Sequence, residues 1–361
     1  MRKITILTVL AIMFAMNLNA TVWTVNNYHG AADFTTLQDA IDGASAGDTL
    51  YIEGSAVGYG DGILDKQLVI IGAGYWLNEN DTTQANKESS RIGKITFNSG
   101  SENSVIEGLY LYYSSSSFNL ITINADGINI ARNFIYPNKN SASPSGYGIY
   151  INGDRSNITI KQNWIDAKNN DIGHHGSVYG IYFSGIPTNC LIMNNFIRSY
   201  QTGAMGETYA IALNNNSSNY LRVVNNVIWG TVTTFYTEHT NNILLSGSYN
   251  NGLGDGGWNN ICNSTQYPAG NNNQQNIEMN SVFVDYEKYI DNGYILKDDS
   301  PANGAGILGG DCGVFGSGTG THPYVLSGMP EIPAIFEATV TPVGTTSLPV
   351  NIKATSHNEN K

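Results

Sequence analysis

The sequence predicts an all-β fold, a parallel β-helix in which one chain winds through three strands per turn. Three observations lead there. A unit of Asn, a large apolar residue and an aliphatic one recurs as Asn133-Phe134-Ile135, Asn163-Trp164-Ile165, Asn195-Phe196-Ile197, Asn226-Val227-Ile228 and Asn260-Ile261-Cys262, at spacings of 30, 32, 31 and 34 residues. Before most copies lies an alternating stretch, Ile128-Asn129-Ile130, Ile158-Thr159-Ile160 and Leu221-Arg222-Val223. Midway between copies comes another, Tyr147 to Ile151, Tyr179 to Phe183 and Tyr209 to Leu213. A period of this length means stacked units that share one core, and alternation within the unit means strands rather than helices.

The elements follow in order. Residues 1–20 read as an export signal, with Arg2 and Lys3 ahead of the apolar run Ile4 to Met16 and a cleavage point after Asn19-Ala20. That run is too short to span a bilayer, and no second one follows, so no membrane insertion is expected. The mature chain is expected outside the cytoplasm, in a periplasm, at a cell surface or secreted. Val22 to Val25 reads as the first strand. Thr35 to Gly43 reads as a short amphipathic helix, with Thr35 and Gln38 as a capping box and Phe34, Leu37, Ile41 and Ala44 on one face. Gly47-Asp48 turns the chain into the strand Thr49 to Ile52. A β-helix has an open apolar end that pairs with other chains unless it is covered, and a helix ahead of the first rungs covers it. A monomer is expected accordingly. The coil is assigned to residues 21–327, with about ten rungs ending near Phe315. From Gly328 onward Pro330, Pro333, Pro342 and Pro349 punctuate two apolar stretches, which makes residues 328–361 a strand pair or linker tail.

Composition narrows the partners. Removing residues 1–20 moves the net charge from −12 to −14, and the remaining basic residues are scattered. A nucleic-acid binder needs a basic patch, and none is visible. A polyanionic sugar would be repelled unless a divalent cation intervened, so neutral or cation-bridged glycans fit better. Cys190, Cys262 and Cys312 are too few, and odd in number, for a disulfide framework. They read as small core residues. No spacing of Cys and His suggests a metal site.

The run Phe34 to Ile41, then Gly47 to Ile52, then Leu68 to Gly72 resembles the opening of secreted bacterial right-handed parallel β-helix proteins of the pectate-lyase-like superfamily. The late run Asp299 to Ala302, Gly304 to Gly306 and Gly310 to Phe315 is similar to the closing rungs of that group. With the middle repeats the resemblance covers roughly residues 22 to 316. It implies a right-handed coil and leaves activity open, since the group holds lyases, hydrolases, isomerases and adhesins. Lyases of this kind use acidic calcium ligands with a Lys or Arg base, so Ca2+ enters as a cofactor only under a lyase reading. Lys161 and Arg132 stand alone in their strands, and no calcium cluster is evident. The related hydrolases carry Asn-Thr-Asp, paired Asp, Gly-His-Gly and Arg-Ile-Lys on successive rungs. This chain has Gly173-His174-His175-Gly176 but neither Asn-Thr-Asp nor Arg-Ile-Lys, and Asp298-Asp299 lies far from the matching rungs.

Two sets of residues could carry function. The loops 136–146, 166–178, 198–208 and 229–241 follow the Asn-apolar-aliphatic strands and are expected to stack on one edge of the coil, rungs being about 4.8 Å apart. They would bring Asp171, His174, His175, Glu207 and His239 together as acid, base or ligand groups, beside Asp166, Arg198 and Glu238. The same residues also read as ordinary solvated loop positions. The second set is aromatic. If Ile135, Ile165, Ile197 and Ile228 point inward, then Phe134, Trp164 and Phe196 point outward, as a stacking platform for sugar rings or as a patch that loops cover. The column of Tyr147, Tyr150, Tyr179, Tyr182 and Tyr209 admits the same two readings. The substrate-binding candidates are thus Phe134, Trp164, Phe196, Tyr179 and Arg198. The repeated Asn is expected at a corner of left-handed backbone, with its amides stacked along a column. Three functions remain open: binding of a polysaccharide along the side of the coil, a lyase or hydrolase on the stacked loops, and a non-catalytic adhesin or structural surface protein.

Overall fold

A computed structural model describes residues 20–28, 30–115, 118–139, 145–170, 176–202, 207–214, 220–252, 257–316, 323–340 and 349–355, and in it the chain winds through three all-parallel sheets. The first sheet has nine strands, from Val22–Val25 to Glu238–Thr240. The second has eight, from Ser90–Ile92 to Ile261–Cys262, and the third has eight, from Gly62–Leu64 to Tyr249–Asn250. One turn of the coil shows the path. Asn129–Ala131 lies in the first sheet, Phe134–Lys139 in the second and Gly146–Ile151 in the third, and Thr159–Lys161 returns beside its starting strand. This is a parallel β-helix.

Inward side chains stack rung on rung. Ile135, Ile165, Ile197 and Ile228 pair in strict sequence along the second sheet, and all four are fully buried. Ile130, Ile160, Ile192 and Val223 do the same in the first sheet, and Ile149, Ile181 and Ile211 in the third. Each buried aliphatic contributes about 1.5–3 kcal/mol. Both ends of this column are closed. At the start stands the helix Leu37–Gly43, whose Leu37, Ala40 and Ile41 are buried in the coil's core. Its cap is Thr36, whose hydroxyl accepts from Asp39 N at 3.2 Å, one residue beyond the Thr35 expected from sequence. At the far end Tyr267 is fully buried in the same core beside Cys262.

The repeated Asn forms a continuous buried column. The backbone N of Asn133 donates to Asn163 Oδ1, and the same bond links Asn163 to Asn195, Asn195 to Asn226, Asn226 to Asn242, Asn242 to Asn260 and Asn260 to Asn273, every one at 2.9 Å. Each Nδ2 of the inner members reaches a carbonyl of the preceding first-sheet strand, as Asn195 does to Ile160 O at 2.8 Å. The left-handed residue is not the column Asn but the one before it: Arg132, Gln162, Asn194, Asn225, Asn241 and Asn259 all have φ between 52° and 58°. The column also corrects the period. Asn242-Ile243-Leu244 is a full member only 16 residues after Asn226 and 18 before Asn260. The 34-residue interval therefore holds two short rungs.

The coil's strands end at Cys262, well before the Phe315 expected from sequence. The run Asp299 to Phe315, which resembles closing rungs, instead belongs to a strap that retraces the coil along the outside of the second sheet. The left-handed corner residues hold it by its backbone. Asn259 Nδ2 donates to Ala305 O, Asn241 Oδ1 accepts from Ile307 N, and Asn194 Nδ2 donates to Val314 O. Farther along, Gln162 Nε2 donates to Pro323 O and Arg132 Nη1 to Met329 O. The strap's Met279, Val282, Phe283, Tyr294, Val314 and Tyr324 pack on the second sheet's outer face. Beyond it Ala334–Val340 and Val350–Thr355 form an antiparallel pair. Residues 1–19 lie outside the described residues.

The Asn195→Ala variant removes the acceptor of Asn163 N and three bonds of its own inside the coil. Each orphaned buried group costs about 1–3 kcal/mol, so urea denaturation should show a loss of at least about 2 kcal/mol. A midpoint equal to the parent's would mean that the column does not hold the corner.

Candidate functional site

With the second sheet covered by the strap, the outer face of the third sheet is the long aromatic surface left open. Its tyrosines owe their placement to a break in alternation. Tyr147 and Tyr150 are three residues apart, as are Tyr179 and Tyr182, yet both members of each pair lie on the outer side, half-buried. The strand kinks between them at Gly148 and Gly180. A Cβ on Gly148 would meet Gly180 O at 2.6 Å, and one on Gly180 would meet Ala210 O at 2.6 Å. Neighbouring rungs approach too closely there for a side chain.

In-register pairing then builds two ladders. Tyr147, Tyr179 and Tyr209 stack with ring centroids 4.9 Å apart and planes within 12° of parallel. Tyr150 and Tyr182 stack beside them at 5.8 Å and meet the first ladder edge-on, with Tyr147 and Tyr150 at 5.1 Å. Because the rings face one another, the ladder presents edges and hydroxyls outward. Burial pushes the Tyr182 phenol up to about 12, and the Glu207 hydrogen bond together with burial does the same for Tyr209. These phenols are neutral donors and acceptors at any physiological pH.

The ladders run into a polar depression in the same sheet. Register carries the Tyr150 column on to Thr122, Thr96 and Ile63, and the Tyr147 column to Asn119. These residues, with Asp61 and Lys94, line a hollow of about 280 Å³. Lys94 Nζ sits 3.7 Å from Asp61 Oδ2 and 4.8 Å above the Tyr113 ring. The sequence reading overlooked this half of the face. Its signal was the alternating Thr and Ile of Ile95–Phe97 and Phe118–Ile123, which phase with the Tyr strands.

The expected catalytic set does not assemble among the described residues. Asp171, His174 and His175 lie outside them. Glu207 lies at the edge of the tyrosine face and accepts from the Tyr209 hydroxyl. His239 is a correction. It belongs to the first-sheet strand Glu238–Thr240, paired with Val223, and its ring is fully buried inside the coil. The physical reason is the short rung: the chain has already crossed the third sheet at Thr231–Thr233, so residue 239 is not in a loop. Glu238 faces outward and pairs with Arg222 at 3.0 Å.

The aromatic platform is corrected too. Phe134, Trp164 and Phe196 do point outward but are covered: Tyr75 and Trp76 lie over Phe134, Trp76 also meets Trp164, and Tyr294 of the strap lies over Trp164 and Phe196. Trp164 and Phe196 are each 1% exposed and stack at 3.8 Å, with Tyr294 of the strap 4.5 Å from Phe196. Arg198 is engaged as well. It makes a bidentate pair with Asp166, both contacts at 2.7 Å, and lies over the rings of Tyr200 and Tyr289 at 4.3 and 4.7 Å. Of the substrate-binding candidates, Tyr179 is the one on the open face. Among the described residues no three His, Cys, Asp or Glu side chains gather to hold a metal ion. Among the same residues no helix is long and apolar enough to cross a membrane.

No protein-family model, no curated protein and no solved structure matches this chain.

Burial lowers the His239 imidazole from 6.5 to about 3, and its Nε2 lies 3.1 Å from the Thr234 hydroxyl while Nδ1 has no partner. Between those two values the unfolded chain binds a proton that the folded chain refuses, so His239 makes stability fall as pH drops from about 6.5 towards 3. The slope from this one group is about 1.4 kcal/mol per pH unit. Chemical denaturation of parent and His239→Phe at several pH values should show the variant's dependence flatter by up to that amount. Parallel curves would contradict the burial of an uncharged ring.

Proposed function

We propose that this chain is an exported β-helix protein that binds a neutral polysaccharide along the outer face of its third sheet. The observation that carries this reading is the open, in-register tyrosine ladder continuing into a polar hollow. A row of uncharged phenols offers hydrogen bonds to sugar hydroxyls at each rung, and the flanking ring edges shield those bonds from water. The acidic balance of the chain, −12 overall, argues against a bare polyanion as the ligand. The resemblance of the opening segment to pectate-lyase-like proteins fits a carbohydrate partner, and the signal-like residues 1–20 fit export.

Binding is favoured over cleavage by the positions of the carboxylates. Asp61 lies at one end of this face and Glu207 at the other. They are separated by five strand steps, Gly62–Leu64 through Thr208–Leu213, or roughly 24 Å at the usual strand spacing. Glycoside hydrolysis uses two carboxylates about 5–10 Å apart.

The test is affinity electrophoresis of the protein in gels containing neutral and acidic polysaccharides. Neutral glycans should retard the parent, and the Tyr147→Ala, Tyr179→Ala double variant should lose about tenfold or more in affinity while keeping its melting behaviour. Retardation of the variant equal to the parent's, or no retardation of the parent by any neutral glycan, would sink the proposal. Release of reducing ends from the gel polysaccharide would instead favour an enzyme.

A further inference from the structure

A second cavity lies at a different corner of the coil, where chain leaves the first-sheet strands Val22–Val25 and Thr49–Ile52. Its volume is about 580 Å³, and it is lined by Asn26, Tyr28, Glu53, Ser55, Val57, Asn86 and Glu88, among others. Three separate segments build it, and they touch backbone to backbone. A Cβ on Gly54 would lie 1.9 Å from Glu88 O, so only glycine lets the loop after Thr49–Ile52 close against the segment Asn86 to Glu88. That contact brings Glu53 and Glu88 to the walls of one cavity.

The walls are set by groups that are already satisfied. Asn26 is 5% exposed, and its Nδ2 donates to Glu53 Oε2 at 2.6 Å while its Oδ1 accepts from Tyr28 N at 2.8 Å. One buried amide thus fixes both the carboxylate and the turn that carries the tyrosine. Asn86 does similar work opposite, donating to Gly54 O at 3.0 Å and accepting from Glu88 N at 3.0 Å. The Tyr28 side chain projects into solvent at 79% exposure, next to the 63% exposed Val57. Among the described residues no Lys or Arg lines the cavity and neither carboxylate has an ion-pair partner.

We propose that this corner is a binding site for an amino sugar, with Glu53 and Glu88 taking the protonated amine, the Asn26 and Asn86 corner setting their positions, and the Tyr28 and Val57 surface taking the ring. Two carboxylates without a counter-charge select a cation. An exposed aromatic face beside them selects a flat, hydroxylated or partly apolar body over a bare ion. The site lies on a different edge from the tyrosine ladder and does not depend on it.

The experiment is calorimetric titration with a β-linked glucosamine tetramer in mildly acidic, low-salt buffer, where its amines are protonated. The fully N-acetylated tetramer serves as the uncharged control. The parent should bind the free-amine tetramer about tenfold or more tightly than the acetylated one, and added sodium chloride should weaken that binding. Glu88 is exposed, so Glu88→Gln is expected to leave the fold intact, and Glu53→Gln keeps an acceptor for Asn26. The pair together should lose the preference for the amine, whereas Tyr147→Ala with Tyr179→Ala should retain it. Equal affinity for both tetramers, an unaffected Glu53→Gln, Glu88→Gln variant, or loss of binding in the tyrosine variant would each overturn the proposal. So would absence of binding by the parent.

Discussion

A buried amide column organises this molecule. At the corner between the first and second sheets the residue before each column Asn still donates to a carbonyl of the next rung, but the Asn N–H itself meets a side-chain oxygen there, and left unsatisfied it would cost about 1–3 kcal/mol. Asn supplies the missing acceptor from its own side chain and spends its amide hydrogens on the neighbouring rung, as Asn163 does between Asn195 and Ile130. Asp in its place would bring a buried charge, and Gln would add a methylene that the spacing has no room for. With that corner held at one geometry, the residue before it is forced into the left-handed region, and the inward and outward phases of the next strand are set. Changes in rung length are absorbed elsewhere. Successive column members are 30, 32, 31, 16, 18 and 13 residues apart, yet every N to Oδ1 bond is 2.9 Å.

Fixed phase explains why aromatic residues appear in columns and why the two columns have different fates. On the second sheet Phe134, Trp164 and Phe196 alternate with inward Ile and make a continuous apolar stripe. Such a stripe needs a cover, and the strap together with Tyr75 and Trp76 provides one. On the third sheet the glycine kink turns two tyrosines outward in each of two successive rungs. Their hydroxyls remain solvated while their faces satisfy one another, so that face is stable in water without a lid. The difference between a phenyl or indole column and a phenol column thus divides the coil into a covered side and an open one.

Much of the fold was legible because its signal is periodic. The Asn unit and the two alternating stretches located most strands of the middle rungs, and the inward phase of Ile135, Ile165, Ile197 and Ile228 follows from simple alternation. The failures share one cause, which is that pattern reading assumes constant period. Asn242-Ile243-Leu244 has the unit's chemistry but arrives at half the expected spacing, and passing over it displaced His239 from the core to an imagined loop. The strap has no period at all. Its partners on the coil are side chains of Arg132, Gln162, Asn194, Asn241 and Asn259, which share a backbone conformation and not a chemical type. Outward direction of Trp164 could be read from the sequence, but whether something lay on top of it could not. The glycine kink was visible as Tyr-Gly-Ile-Tyr and was taken for alternation, because only the closeness of adjacent rungs shows why a side chain is excluded.

The strap changes what kind of object the solenoid is. In a plain stack each repeat touches only its neighbours, so end rungs can fray while the middle stays intact and stability adds up piece by piece. Here Asn259 near the far end and Arg132 midway along the first sheet grip the same returning segment, and Asp291 within that segment receives Asn80 from an early insertion at 2.9 Å. Opening the last rung therefore loosens the cover of every rung back to Arg132, and the strapped length is expected to unravel as one cooperative unit. It also places a brake on change over evolutionary time. A repeat gained or lost inside the strapped length would slide every corner residue past its appointed carbonyl, so the number of turns in this coil is held in place by a segment that is not part of it.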